Sequence, residues 1–408
     1  MRVLLSTYGS RGDVEPMVGL AMQLRALGVE VRVCAPPDEE FAALLGGVGV
    51  PLIPIGQPVR PMMQGKRPPT ADLPQRSVEL IAAQFAKITA LAEECDALVA
   101  TGVMQVAAPS VTEKLGIPYA YVSYQPITLP SPHHPPVPNP VRPFPPHVTD
   151  NGALWDLDAQ GWNALFGEAL NAHRASIGLS SVDNVRDHIY TDHPWLAADP
   201  TLGPWQEPTS LDVVQTGAWI LPDKRPLSAD LTTFLAAGTP PVFVGFGSMR
   251  APKDAARVAI EAIRAQGRRA LVSRGWADLA LIDDRDDCFV VGEVNQQELF
   301  GRVAAVVHHG GAGTTTAAAR AGAPQVVVPQ VVDQPYWAGR VADLGIGAAH
   351  KGPAPTTESL SAALRTALAP DTLARATAMA GTIRNDGAPV AAQLLLDECS
   401  RDRPSVSA

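Results

Sequence analysis

Short runs of β-branched and leucine-rich positions recur along the chain, each followed by a stretch with helical spacing of its apolar residues. In the first half the pattern predicts strands at 3–6, 29–34, 52–55, 97–101 and 119–123. Helices are predicted between them at 17–27, 41–45, 77–94 and 106–115. The alternation starts afresh at 241–248. It continues with a helix at 255–266, strands at 269–273 and 288–291 and a helix at 296–303. An apolar run at 303–307, a helix at 314–321 and a strand at 325–328 follow. Helical segments at 360–368, 373–383 and 390–398 close the chain. Strand–helix alternation of this kind specifies parallel, doubly wound sheets. The fold class is therefore α/β, with two Rossmann-like domains and an interdomain cleft.

Twice within the first 150 residues the pattern breaks. Residues 57–75 are rich in Pro, Met and Arg, and residues 125–148 are dominated by proline. Both leave the carboxyl ends of strands, where such sheets bind ligands, and long proline-rich loops are either functional or mobile. We read them as walls of an acceptor cleft. Residues 150–175 are helical in pattern, with Trp155 and Trp162 on one face, and 195–208 read as a strand and a loop. The division expected is a first domain at 1–210, a linker at 211–230 and a second domain at 231–385. A C-terminal helix at 386–408 is expected to pack back on the first domain.

The 408 residues suit two ordinary cores. A net charge of −9 without any Lys/Arg-rich run argues against nucleic acid. Cys34, Cys95, Cys288 and Cys399 are scattered without metal or disulfide spacing, which suits a reducing cytoplasm. No apolar run reaches the length of a membrane span, and the N-terminus lacks the apolar region of a signal peptide. A cytoplasmic monomer is expected, with no stable membrane insertion.

Chemistry concentrates at His308-His309-Gly310-Gly311-Ala312-Gly313-Thr314-Thr315. A strand that ends in glycines and opens a helix presents free N–H groups at the positive end of the helix dipole, which binds phosphate. About twenty residues on, Asp333-Gln334 sets an acid beside an amide, a pair suited to sugar hydroxyls. A nucleotide-sugar site follows. No Gly-Lys-Ser/Thr is present, which excludes a P-loop, and the second strand ends in Cys34-Ala35-Pro36 rather than an acid, which disfavours an NAD enzyme. Adjacent histidines on a strand face opposite ways, so His308 and His309 cannot grip one metal. Asp284-Arg285-Asp286 spells the Asp-x-Asp of metal-dependent transferases, but five consecutive charged residues between a helix and a strand read as a solvated loop. No metal or other cofactor is expected.

The opening Met1-Arg2-Val3-Leu4-Leu5-Ser6-Thr7-Tyr8-Gly9-Ser10-Arg11-Gly12-Asp13-Val14-Glu15-Pro16 resembles that of the vancomycin-type glycopeptide glycosyltransferases, inverting enzymes of the GT-B fold. Thr216-Gly217-Ala218-Trp219, Ser273-Arg274-Gly275-Trp276, Gly292-Glu293-Val294-Asn295 and the His308 motif resemble the same family. The likeness implies a UDP-sugar or TDP-sugar co-substrate, UDP-glucose first, and a glycopeptide aglycone as acceptor. It implies Asp13 as the base that deprotonates the acceptor, or else a helix N-cap. His309 would touch the donor phosphates, together with the backbone from Gly311 through Ala312 and Gly313 to Thr314, and Ser10 would reach a phosphate. Asp333 and Gln334 would hold the hexose, or simply start a helix. Ser248 either donates to phosphate or closes a turn. Val294 would offer backbone groups to the base, with Trp276 near the base or merely packed. The alternatives are a TDP-amino-deoxysugar or UDP-N-acetylglucosamine donor on the same fold, or a non-catalytic nucleotide-sugar-binding protein.

Overall fold

The computed structural model describes residues 1–63, 73–102, 104–138, 143–249, 251 and 254–401. The chain divides into two compact units. The first comprises Met1–Ala198, Pro204–Leu221 and Asn385–Ala408; the second comprises Asp199–Gly203 and Pro222–Arg384.

The first unit holds a parallel sheet of β1 (Arg2–Thr7), β2 (Glu30–Ala35), β3 (Leu52–Pro54), β4 (Ala97–Thr101), β5 (Tyr119–Ser123), β6 (Trp195–Leu196) and β7 (Val214–Gln215). Their order is β3-β2-β1-β4-β5-β6-β7. The strands at its centre are apolar on both faces because helices cover both. Val3 and Leu5 join one core, Leu4 the other. The second unit holds β8 (Val242–Gly245), β9 (Ala270–Ser273), β10 (Cys288–Val291), β11 (Ala305–His308), β12 (Gln325–Val327) and β13 (Gly347–Ala349), ordered β10-β9-β8-β11-β12-β13. β13 carries the small residues Gly347-Ala348-Ala349 and is absent from the hydrophobic pattern.

Helix α1 (Arg11–Ala26) begins six residues before the stretch that periodicity predicts. Pro16 suggests a start beyond it, yet a capping box at Ser10 and Asp13 nucleates the earlier turn. Asp13 is therefore not an N-cap: Ser10 is, and Asp13 stands at the third helical position. The final helix, Gly387–Arg401, belongs to the first unit and packs on α1, burying Ala388, Ala391, Ala392, Leu395 and Cys399 in the core that holds Met17 and Leu24. Its first residue sits so close to the Gly217 carbonyl that a Cβ there would lie 2.3 Å from the oxygen.

Of the two proline-rich loops, 64–72 and 139–142 lie outside the described residues. The flanks that are described are fastened. Tyr8 Oη bonds the Gln57 carbonyl at 3.1 Å, and the buried Asp38 carboxylate accepts from Val59 N and Arg60 N at 2.9 and 3.1 Å. Trp155 Nε1 donates to His134 O at 2.9 Å and Asn151 Nδ2 to Pro132 O at 2.8 Å, which pins 131–134 to the helix Asn151–Trp162. Residues 199–203 form a knuckle of the second unit. The buried Asp199 accepts from Thr201 N, Leu202 N and Arg384 N at 2.8, 3.2 and 2.8 Å, and Arg340 Nε donates to Leu202 O at 2.8 Å. Among the described residues no helix is long and apolar enough to cross a membrane.

Candidate active site

In the first unit, β1 delivers the loop Tyr8-Gly9-Ser10 to the start of α1. Ser10 N donates to Asp13 Oδ2 at 2.7 Å, and Ser10 Oγ lies 3.3 Å from the same oxygen while accepting from Gly12 N at 3.3 Å. The carboxylate folds back over Gly9 so tightly that a Cβ there would stand 2.1 Å from Oδ2. The Asp13 carbonyl is held as well, by Thr7 Oγ1 at 3.2 Å and Tyr124 Oη at 3.3 Å. Burial pushes the Asp13 carboxyl up to about 6, against the opposing pull of the Ser10 hydrogen bonds. A carboxylate poised there is basic enough to accept a proton near neutrality and still be ionised.

In the second unit, β11 ends at His308 and the helix Ala312–Arg320 begins with Gly311 as N-cap, whose lack of a side chain leaves the first turn uncapped. The first main-chain bond of that helix runs from Thr315 N to Gly311 O at 3.0 Å. The N–H groups of Ala312, Gly313 and Thr314 precede it in an uncapped first turn, a cradle of the kind that suits an anion. His308 is the core histidine. Gly310 N donates to its Nδ1 at 3.1 Å, so Nε2 carries the proton and donates to Gln325 Oε1 at 2.9 Å. This fixes the peptide at Gly310, where φ is +94° and a Cβ would meet Val327 Cγ1 at 2.7 Å.

His309 lies between two glycines. A Cβ on Gly311 would stand 2.7 Å from its Nε2, and one on Gly247 would stand 3.3 Å from Cε1. Its Nδ1 is buried without a protein partner among the described residues, so the atom is open to a bound ligand or water. Burial brings the imidazole down to about 4, so it is neutral at pH 7. Ser248 does not end a strand: β8 stops at Gly245, and Ser248 sits in the turn closed by Met249 N to Phe246 O at 3.0 Å. Trp276 reaches the same turn through its N–H, 2.9 Å from Gly247 O. Gly247, unremarked in the sequence, thus brings Ser248, Trp276 and His309 together. Val294 stands apart in the loop after β10, packed on the cluster of Leu299 and Phe300.

The turn after β12 carries Asp333 and Gln334 at the head of the helix Gln334–Asp343. Asp333 Oδ2 accepts from Trp337 Nε1 at 2.9 Å, and Gln334 Oε1 accepts from Gln330 N and Val331 N at 2.7 and 3.1 Å. Both side chains hold the turn, as the plainer of the two sequence readings has it. Gln334 still has its amide nitrogen, which has no partner among the described residues. The turn abuts the cradle: a Cβ on Gly310 would lie 3.1 Å from Gln334 O.

The acidic run at 283–287 is only partly solvated. Arg264 clamps Asp283 and Asp287 with contacts of 2.7–2.8 Å, while Asp284 and Asp286 are exposed. Among the described residues no cluster of His, Cys, Asp or Glu is placed to hold a metal ion.

Two parallel Rossmann-like sheets, one with an uncapped glycine cradle, define a glycosyltransferase of the GT-B fold. Solved structures of the kind share it: the glycosyltransferase of kitacinnamycin superposes with a TM-score of 0.75 at 19% identity over 99% of both chains. VinC, solved with dTDP, superposes with a TM-score of 0.69 at 20% identity over 98% of this chain and 100% of its own. Residues 3–129 match the glycosyltransferase family 28 N-terminal domain, and 279–393 match the erythromycin biosynthesis protein CIII-like C-terminal domain. Glycosyltransferase GtfE and vancomycin aglycone glucosyltransferase of Amycolatopsis orientalis are 60% and 59% identical to this chain, over 100% of each sequence. The dTDP-epi-vancosaminyltransferase of that organism is 54% identical over 100% of both. The chain belongs to the vancomycin-type glycopeptide glycosyltransferases.

Proposed function

We propose that this enzyme moves glucose from UDP-glucose to a hydroxyl of a glycopeptide aglycone, with inversion and without a metal. One observation carries the donor reading. Read along the second sheet, the candidate residues follow the strand order: Val294 after β10, Trp276 after β9, Ser248 after β8, His309 to Thr314 after β11, and Asp333-Gln334 after β12. Adjacent strands lie about 4.8 Å apart, so Val294 and His309 are separated by roughly 14 Å across the sheet. A nucleotide sugar has the same linear order: base, ribose, diphosphate, hexose. The Gln334 amide would serve a hexose hydroxyl.

In the reaction, the acceptor O–H gives its proton to Asp13 and its oxygen forms a bond to the anomeric carbon. The bond from that carbon to the diphosphate oxygen breaks on the opposite face, and UDP leaves with the electron pair. The cradle N–H groups and the neutral His309 stabilise the departing charge. The test is mass spectrometry of products from aglycones offered UDP- and TDP-sugars in excess EDTA. Glucosyl transfer from UDP-glucose is expected. Transfer only from a TDP-amino-deoxysugar would overturn the donor assignment, and binding without turnover would make the chain a non-catalytic receptor.

A further inference from the structure

The turn after β12 directs its polar groups inward. Gln330 Nε2 donates to Val328 O and Pro353 O at 3.1 and 2.9 Å, and Gln334 N donates to Val331 O at 3.2 Å. Gln334 and Asp333 complete the closure as described above. The closure forces Val332 to a φ of +56°, where a β-branched residue is a genuine outlier. Val332 is also 56% exposed and Val331 38% exposed. Glycine would suit this backbone better, so the isopropyl group is kept against both strain and solvent. Such outliers gather where a ligand is gripped.

We propose that Val332 is a specificity-determining contact for the donor, packing its isopropyl group on the apolar C–H face of the transferred hexose. The proposal rests on the donor reading above. The hexose is bonded to the phosphate at the end of the cradle, and the cradle touches the turn at Gly310 and Gln334. The sugar therefore lies over residues 331–334. A pyranose offers hydroxyls at its rim and C–H groups on its face. The rim finds the Gln334 amide. The exposed side chains that the turn offers to the face are those of Val331 and Val332, and the backbone throws Val332 furthest out.

The experiment titrates UDP and UDP-glucose separately into the wild type, Val332→Gly and Val332→Ala, and records melting temperatures. UDP has no hexose, so its Kd is expected to be unchanged in all three. The Kd for UDP-glucose is expected to rise about three- to tenfold in both variants, as partial burial of the two methyl groups that each of them loses implies. Val332→Gly should at the same time raise Tm by about 2–4 °C by releasing the strain. Gain of stability with selective loss of sugar affinity is a pair of effects that a packing valine does not give. Should the glycine variant fold poorly, the alanine variant keeps a Cβ and carries the comparison. Unchanged UDP-glucose affinity overturns the proposal, as does equal weakening of both ligands. A wild type that binds neither ligand overturns the donor reading itself.

Discussion

At the residue scale the proposed chemistry turns on Asp13 and on a neighbour that has no side chain. Asp13 is held by Ser10 over the empty face of Gly9. With its carboxyl pushed up to about 6, kcat/KM should climb through about pH 6 and level off above it. Asp13→Asn should lower kcat by roughly 10²–10⁴-fold and flatten that limb, with UDP affinity preserved. The sign for stability runs the other way. A raised carboxyl favours the folded state fully below its ordinary range near 4, and that advantage fades as pH rises through about 6. Asp13→Asn should therefore be no less stable than the wild type at pH 8, measured by thermal melting. Gly9→Ala tests the same geometry from the opposite side. Its methyl group would meet Oδ2 at 2.1 Å and turn the carboxylate away. Steady-state rates approaching those of Asp13→Asn are the expected outcome, with a melting temperature lowered by loss of the Ser10 N–Asp13 Oδ2 bond of the capping box.

At the scale of elements, hydrophobic periodicity located most strands but not the helix ends that matter here. The buried Val3, Leu4 and Leu5 announce β1 plainly, because a strand covered on both faces must be apolar throughout. Gly347-Ala348-Ala349 announces nothing, since β13 is selected by closeness rather than hydrophobicity: a Cβ on Gly347 would stand 2.0 Å from Gln325 O. The start of α1 is set by hydrogen bonds at Ser10 and Asp13, to which a search for apolar spacing is blind. The strand–glycine–helix turn at 308–315 was legible because glycines, histidines and a following helix are a local signal. The role of Gly247 was not, for it comes from two peptides, at 247 and 276, that meet only in the folded sheet. The final helix gives a sharper test of element packing. Leu395 is fully buried against the α1 core, so Leu395→Ala should cost about 2–5 kcal/mol. Urea denaturation followed by tryptophan fluorescence would measure it, and a change within 0.5 kcal/mol would show that this helix is not integral to the first unit.

For the whole molecule, the two units are not two halves of the sequence. The chain passes from one to the other at 198–199, 203–204, 221–222 and 384–385. The knuckle 199–203 is bound to the second unit through Asp199, which satisfies three backbone N–H groups while itself 1% exposed. Asp199→Ala leaves those donors unmet and should destabilise the protein by about 2–4 kcal/mol. Calorimetry would register this as a lower melting temperature, whereas an unchanged melt would mean that the knuckle is not held through Asp199. The consequence reaches the gene. A single crossover near codon 222 between two relatives would join an Asp199 knuckle from one parent to an Arg340 and Arg384 from the other, and a closing helix from the second parent to an α1 from the first. Inheritance of either unit intact requires exchange at four breakpoints, so recombinants made at one will carry two foreign seams.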